Sequence, residues 1–336
     1  MSTLLLPSPI SGGIILSYKC NAQCRHCIYA SSPHWERNWM EEKELYTLLK
    51  ILKGKIQPSP YGKDRIGANY GLHFTGGEPF LNFPLLLKAV ELAEREGIPS
   101  LFVETNAFWA REDEKTFKIL KVLKEKGLKG ILISVNPFIV EYVPFERIER
   151  AVRIGYEVFR ENLIVYQWEY FLLFKNWGIK GRLNWDEYVK KKEAIIGELL
   201  LMGRAVYKLS GWRKFKPSNF SGSCYSELTR PWHNHWDNYG NIIPGFCAGL
   251  SLGNWKGNPD IYEEGIDLEK RPVLKILLEE GVRGLLDWAK RKFNFKEKNG
   301  YFSPCHLCLD IRKFLVEKGE YFPELAPKEY YFQVEE

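Results

Sequence analysis

The opening residues of this 336-residue chain carry no secretory signal: Met1-Ser2-Thr3-Leu4-Leu5-Leu6-Pro7 lacks both a basic start and a long apolar core. No apolar run approaches the ~20 residues that a membrane helix needs, so neither export nor membrane insertion is expected. Blocks of Lys and Arg dense enough to grip nucleic acid are missing. The formal charge is +6; residues 211–336 hold 18 charges of each sign, so the excess lies in residues 1–210. That excess reads as a solvated helical surface, with docking of an acidic electron-transfer protein as its functional counterpart. Short-period repeats and low-complexity segments are absent, and only three Met occur, which fits a heat-adapted source. A composition of 45% hydrophobic and 27% charged residues excludes disorder. A cytoplasmic globular chain of one large or two medium domains is expected.

What is present is sulfur. Seven cysteines without a secretory signal argue for metal or redox use rather than disulfides. They divide into Cys20, Cys24 and Cys27, within Cys-Asn-Ala-Gln-Cys-Arg-His-Cys, and a second set of Cys224, Cys247, Cys305 and Cys308. The first three follow an apolar run, residues 13–18, that reads as a short buried strand. Soft thiolates select iron–sulfur clusters, zinc or copper(I). A site ligated by cysteine alone needs a fourth ligand. Three thiolates can hold three irons of a cubane and leave the fourth iron open to a substrate or cofactor.

Short β-type runs alternate with amphipathic stretches over the first two hundred residues. Strands are expected at residues 13–18, 71–75, 100–105, 130–135 and 162–166, with a sixth at or just before 203–207. Helices are expected at 41–53, 83–95, 113–126, 145–160 and 185–200. Repeated strand–helix units predict an α/β fold with a parallel sheet. Beyond them helical periodicity weakens and Trp, Asn, Gly and Pro become dense. A boundary is therefore placed near residue 210, giving domains 1–210 and 211–336.

Polar motifs fall at the same end of successive strands: the thiol loop after the first, Gly76-Gly77-Glu78-Pro79 after the second, Glu104-Thr105-Asn106 at the third and Ser134-Val135-Asn136 at the fourth. In a parallel barrel these C-terminal strand ends converge on one mouth, where active sites form. Cys-x3-Cys-x2-Cys followed by Gly-Gly-Glu-Pro resembles the radical S-adenosylmethionine (radical SAM) superfamily over roughly residues 12–210. The resemblance implies a partial (β/α)6 TIM-like barrel, a 4Fe–4S cluster on Cys20, Cys24 and Cys27, and SAM bound to the unique iron. It also implies reductive cleavage of SAM to a 5′-deoxyadenosyl radical that takes a hydrogen atom from substrate. By the same resemblance Gly76, Gly77 and Glu78 contact the SAM amino group, Glu104, Thr105 and Asn106 its ribose and carboxylate, and Ser134 and Asn136 the cofactor again. His26 takes a position beside adenine. The residue types suit these roles, since glycine lets the backbone approach a ligand closely and Glu78 adds negative charge near an ammonium. Taken singly, each motif has a plainer reading: an ordinary turn, a strand-end cap, or most of a zinc site.

In the second set, Cys224 and Cys247 flank the turn-like Asn238-Tyr239-Gly240-Asn241, and Cys305-His306-Leu307-Cys308 forms a tight pair after Pro304. Spacing alone does not separate zinc from iron–sulfur here. The set resembles the SPASM or twitch auxiliary-cluster extension of radical SAM enzymes, which implies one further 4Fe–4S cluster. It departs from the fuller pattern, because six residues rather than four separate Gly240 from Cys247 and too few cysteines remain for two auxiliary clusters. Elsewhere, His73 is expected to pack within the barrel, His233 and His235 to lie at the surface, and Arg204 to reach the mouth. Trp168, Tyr170, Phe171, Phe174 and Trp177 read as core or interface.

The resulting expectation is a radical SAM enzyme acting on a peptide, protein or small-molecule substrate for a net oxidation or crosslink. Its electron donor would be of flavodoxin or ferredoxin type, with no nucleic-acid or membrane partner. The rival reading is a non-catalytic iron–sulfur electron carrier or redox sensor with a zinc-stabilised C-terminal binding module.

Overall fold

A computed structural model describes residues 3–36, 38–195, 197–209 and 213–336. The chain divides into two units: residues 9–24 with 31–199, and residues 1–8, 25–30 and 200–336. Residue 210, where the domain boundary is expected, lies outside the described residues.

The first unit holds five strands: β1 (Ser11–Ile15), β2 (Gly71–Thr75), β3 (Phe102–Thr105), β4 (Gly130–Ser134) and β5 (Leu163–Tyr166). They pair in parallel in the order β5-β4-β3-β2-β1. Every residue of β1 and β2 is buried, as expected for parallel strands covered on both faces. Helices Glu42–Leu52, Phe83–Arg95, Asp113–Glu125 and Phe145–Phe159 run between successive strands. The first buries Leu45, Leu48, Leu49 and Leu52 as one stripe. The α/β class with a parallel, barrel-like sheet is therefore present, and its C-terminal strand ends carry the polar motifs.

Two local expectations are corrected. Residues 185–200 do not form one helix: Trp185–Tyr188 makes a single turn and the chain then folds back. The cause is tertiary. The buried Tyr188 ring sits 5.6–6.4 Å from the rings of Trp185, Trp177, Phe174 and Tyr170. Its hydroxyl also binds both backbone groups of Ile195, accepting from the N–H at 3.1 Å and donating to the carbonyl. This aromatic packing wins over helical periodicity, and it makes Tyr170, Phe171 and Phe174 core residues. Gly203–Tyr207 is not strand-like either, since a short helix, Ala205–Lys208, begins there.

In the second unit, Thr3–Leu4 pairs antiparallel with Ile266–Asp267. Strands β6 (Asn234–Asp237) and β7 (Ile242–Ile243) form a hairpin. Its turn is closed by Asp237, whose carboxylate accepts from the N–H groups of Tyr239 (3.0 Å) and Asn241 (2.7 Å). Gly240, at φ 93°, is required there, as a Cβ would lie 2.4 Å from Asn254 Oδ1. His235, expected at the surface, is buried in β6 with its ring 5.3 Å from Tyr29 and 5.0 Å from His233. Helices Pro272–Glu279, Gly281–Phe293 and Pro304–Glu317 complete the unit. Among the described residues no helix is long and apolar enough to cross a membrane.

Removing only the hydroxyl, in Tyr188→Phe, is expected to cost about 1–2 kcal/mol, because both Ile195 backbone groups lose a partner. Chemical denaturation measures it, and an unchanged midpoint would mean that the fold-back is held by ring packing alone.

Candidate functional site

The loop bearing Cys20 and Cys24 is registered by the segment after β2. Gly77 N–H donates to Ser17 O at 2.8 Å and Glu78 N–H to Lys19 O at 3.0 Å. A Cβ on Gly76, whose φ is 126°, would lie 2.4 Å from Ser17 O, and one on Gly77 would lie 1.9 Å from Lys19 O. The two glycines therefore serve a backbone-on-backbone approach before any ligand arrives. Lys19 closes the loop from the other side, its Nζ donating to the carbonyls of Pro33 (2.5 Å) and Trp35 (2.6 Å). Gln23 O accepts from the Tyr142 hydroxyl at 2.9 Å, which fixes the residue before Cys24.

Cys20 is buried, and its sulfur faces hydrogen-bond donors: Ala22 N–H at 3.4 Å and Asn106 Nδ2 at 3.9 Å. The same sulfur donates to Asn21 Oδ1 at 3.9 Å, so it is held in a small polar network. Asn106 Nδ2 also donates to Asn21 Oδ1 at 2.9 Å, so the end of β3 reaches the thiol loop directly.

Glu78 has three hydrogen-bond partners within the chain. Its carboxylate is buried and accepts from Thr105 Oγ1 (2.9 Å), Asn106 N–H (2.8 Å) and Phe80 N–H (3.2 Å). It ties the ends of β2 and β3 together. Burial pushes the Glu78 carboxyl up to about 7, against those three hydrogen bonds, which favour the charged form. Thr105 is likewise occupied, accepting from Ala107 N–H and Trp109 Nε1, each at 3.0 Å. Asn136 caps the turn Pro137–Val140 by accepting from Ile139 N–H at 3.1 Å. Glu104 stands apart. It is partly exposed, takes one hydrogen bond from Thr75 Oγ1 at 2.7 Å, and has its other oxygen 3.5 Å from His73 Nε2. Burial pushes the His73 imidazole down to about 3, so it is neutral there. Ser134 is half-buried at the end of β4.

Cys27 and His26 belong to the second unit, as do the residues that hold their segment. Arg204 N–H donates to Cys27 O at 3.1 Å, and its guanidinium to Ala30 O at 2.7 Å and Gln333 O at 3.2 Å. A Cβ on Gly203 would lie 2.6 Å from Ile28 Cα. Arg204, expected at the barrel mouth, is instead fully buried as a clamp on this segment. Burial, and secondarily the Arg204 charge, pushes the His26 imidazole down to about 4.

The four remaining cysteines line one cavity of about 230 Å³. Cys224 precedes the helix Tyr225–Leu228, Cys247 follows the hairpin, and Cys305 with Cys308 opens the helix Pro304–Glu317. That helix is started by Ser303, whose Oγ accepts from His306 N–H at 3.1 Å. The rest of the lining is mainly apolar, including Leu228, Leu250, Leu277 and Val282. Burial first, and each other's charge second, push the thiols of Cys224, Cys247 and Cys305 up to about 12. Sequence reading missed Arg312, which also lines this cavity. Its position four residues after Cys308, on one helical face, was the available signal.

Residues 14–165 match the sequence model of the Radical SAM superfamily. The chain is 29% identical over 171 residues to a GTP 3′,8-cyclase of Aquifex aeolicus (strain VF5), an alignment covering 51% of this chain and 45% of that protein. It thus spans about half the length of the curated relative it matches. Among solved structures, it is similar to BtrN in complex with AdoMet and 2-DOIA, with 18% identity, TM-score 0.46, and 90% and 99% of the two chains covered. It is also similar to anSMEcpe with bound AdoMet and Cp18Cys peptide, with 14% identity, TM-score 0.42, and 92% and 98% covered.

Two outcomes follow from the geometry. Gly77→Ala is expected to disorder the thiol loop and lower the unfolding midpoint, since the 1.9 Å approach is to backbone that cannot rotate away; a crystal structure with residues 17–20 unmoved would refute it. Glu78 holds its proton up to about pH 7 when folded and to about 4.5 when unfolded. The native state binds more protons between these values, so the stability that Glu78 contributes falls as pH rises from 4.5 to 7. Relative to the non-titrating Glu78→Gln variant, the parent should lose up to about 3 kcal/mol over that range. A constant difference between the two denaturation curves would refute the burial argument.

Proposed function

We propose that this chain, whose residues 14–165 match the Radical SAM superfamily model, is an enzyme that cleaves SAM and abstracts hydrogen from a peptide, protein or small-molecule substrate. When bound, a reduced 4Fe–4S cluster with SAM supplies a 5′-deoxyadenosyl radical. The residues of this chain bind and orient the parts. Cys20, Cys24 and Cys27 would hold the cluster, with N–H donors facing the Cys20 sulfur. Glu104 is the strand-end carboxylate left partly exposed, suited to accept hydrogen bonds from ribose hydroxyls. Gly76 and Gly77 present backbone where an amino group would sit, with Ser134 and His26 further along the cofactor. Glu78, Thr105, Asn106 and Asn136 position these groups by joining strand ends. The observation that carries the reading is this hydrogen-bonded register between the thiol loop and the ends of β2 and β3.

For the four-thiol cavity the reading is a second 4Fe–4S cluster. A zinc ion would draw four sulfurs to about 2.3 Å from one point. The buried thiols of Cys224, Cys247 and Cys305 stay protonated unless a cationic centre displaces the protons. Such a cluster would accept the electron left on substrate after hydrogen loss, giving a net oxidation or crosslink. A flavodoxin- or ferredoxin-type protein would supply the reducing electron for SAM cleavage.

Anaerobic incubation with SAM and dithionite is expected to yield 5′-deoxyadenosine; none would overturn the enzyme reading. The reconstituted chain should hold about eight irons, and the Cys20/Cys24/Cys27 triple Ala variant about four. A triple variant with no iron–sulfur absorbance would exclude the second cluster.

A further inference from the structure

The helix Pro304–Glu317 presents more than two thiols to the cavity. Cys305, Cys308 and Arg312 follow one another at intervals of three and four, so they share a helical face. All three line the same cavity. Arg312 is 5% exposed, and its hydrogen bonds go to neutral acceptors: Nη1 donates to Ala248 O and to the Tyr331 hydroxyl, each at 3.0 Å. Ala248 directly follows Cys247, so the guanidinium is anchored on the backbone that carries a third thiol. Its Nε is buried with no hydrogen-bond partner among the described residues. The one other charged residue lining the cavity, Glu227, is largely exposed and pairs with Arg230 at 3.2 Å.

A guanidinium cannot shed its proton in a protein, so burying it without an anion is costly. Among the described residues no carboxylate offsets this charge. The nearest chemistry able to supply negative charge is the thiol set itself, once ligated. A cubane core with four thiolates carries a net charge of two minus when oxidised and three minus after taking one electron. A fixed cation at its edge stabilises the second state more than the first.

We propose that Arg312 is the built-in countercation of the auxiliary cluster and raises its reduction potential, making the cluster a readier electron acceptor. This rests on the four-thiol cavity holding a 4Fe–4S cluster. The step it assists is balanced: a substrate that has given up a hydrogen atom loses one electron to the oxidised cluster and one proton to solvent, ending two electrons more oxidised. Arg312 touches neither substrate nor SAM, so it acts as a tuning residue through the cluster.

The experiment uses the Cys20/Cys24/Cys27 triple Ala background, in which the auxiliary cluster alone remains, titrated potentiometrically with dithionite and followed by electron paramagnetic resonance. Arg312→Gln removes the charge and keeps an amide for Ala248 O, while Arg312→Lys keeps the charge and loses the planar fork. Arg312→Gln should lower the ratio of reduced to oxidised cluster at least tenfold at a given ambient potential, a shift of about 59 mV for one electron. Arg312→Lys should titrate close to the background. An unchanged potential in Arg312→Gln, or an equal shift in both variants, overturns the proposal. Loss of the cluster from both variants also overturns it and assigns Arg312 to folding. Absence of any cluster from the triple Ala background instead removes the auxiliary-cluster reading, and the two failures are thereby told apart.

Discussion

The closest constraint in the barrel unit is the approach of the Gly76–Gly77 backbone to Ser17–Lys19. Two N–H groups and two carbonyls meet there, and no side chain larger than hydrogen fits between them. Because Lys19 is the residue before Cys20, this contact sets where the thiol loop leaves β1. The next residue along, Glu78, passes the same register to the end of β3 through two hydrogen bonds, and Asn106 returns it to Cys20 and Asn21. Three strand ends and one loop are thus joined in a closed circuit of short polar contacts. Displacing any member displaces the others.

Much of this was legible in the sequence because it was local. Thiol spacing, strand-end glycines and leucine stripes are patterns within a few residues, and the helices Glu42–Leu52 and Phe83–Arg95 followed them closely. What was misread depended on partners distant in sequence. Residues 185–200 have helical periodicity, yet Tyr188 packs among aromatics up to eighteen residues earlier and binds Ile195. Arg204 looked like a mouth residue because it follows a glycine; its carbonyl partners lie near residues 27–30 and 333. His235 looked exposed because its neighbours are polar and aromatic, and it is buried in a hairpin. For Glu78 the glycines before it were the visible signal, while two of the groups it binds, 27 and 28 residues away, were not.

The two cysteine sets sit in opposite electrostatic settings. Around Cys20 the charge of a thiolate is met by neutral dipoles, a backbone N–H and an amide, as suits a site that must also admit a polar cofactor. Around the second set there are mostly aliphatic side chains, and the cation that lines its cavity is Arg312. A polar setting tolerates exchange of ligands and solvent. A mostly apolar one with a buried cation suits a centre that changes charge without changing partners.

The anchoring of Cys27 has a consequence for the order in which the protein is made. Its segment is gripped by Gly203 and Arg204, about 175 residues later in the chain. Synthesis runs from the N-terminus, so Cys20 and Cys24 emerge with their supporting strands long before the third thiol gains its clamp. A nascent chain halted before residue 200 therefore contains the whole thiol motif as sequence but only part of its mounting. The last of these contacts, from Arg204 to Gln333 O, can form only once nearly the whole chain has been made.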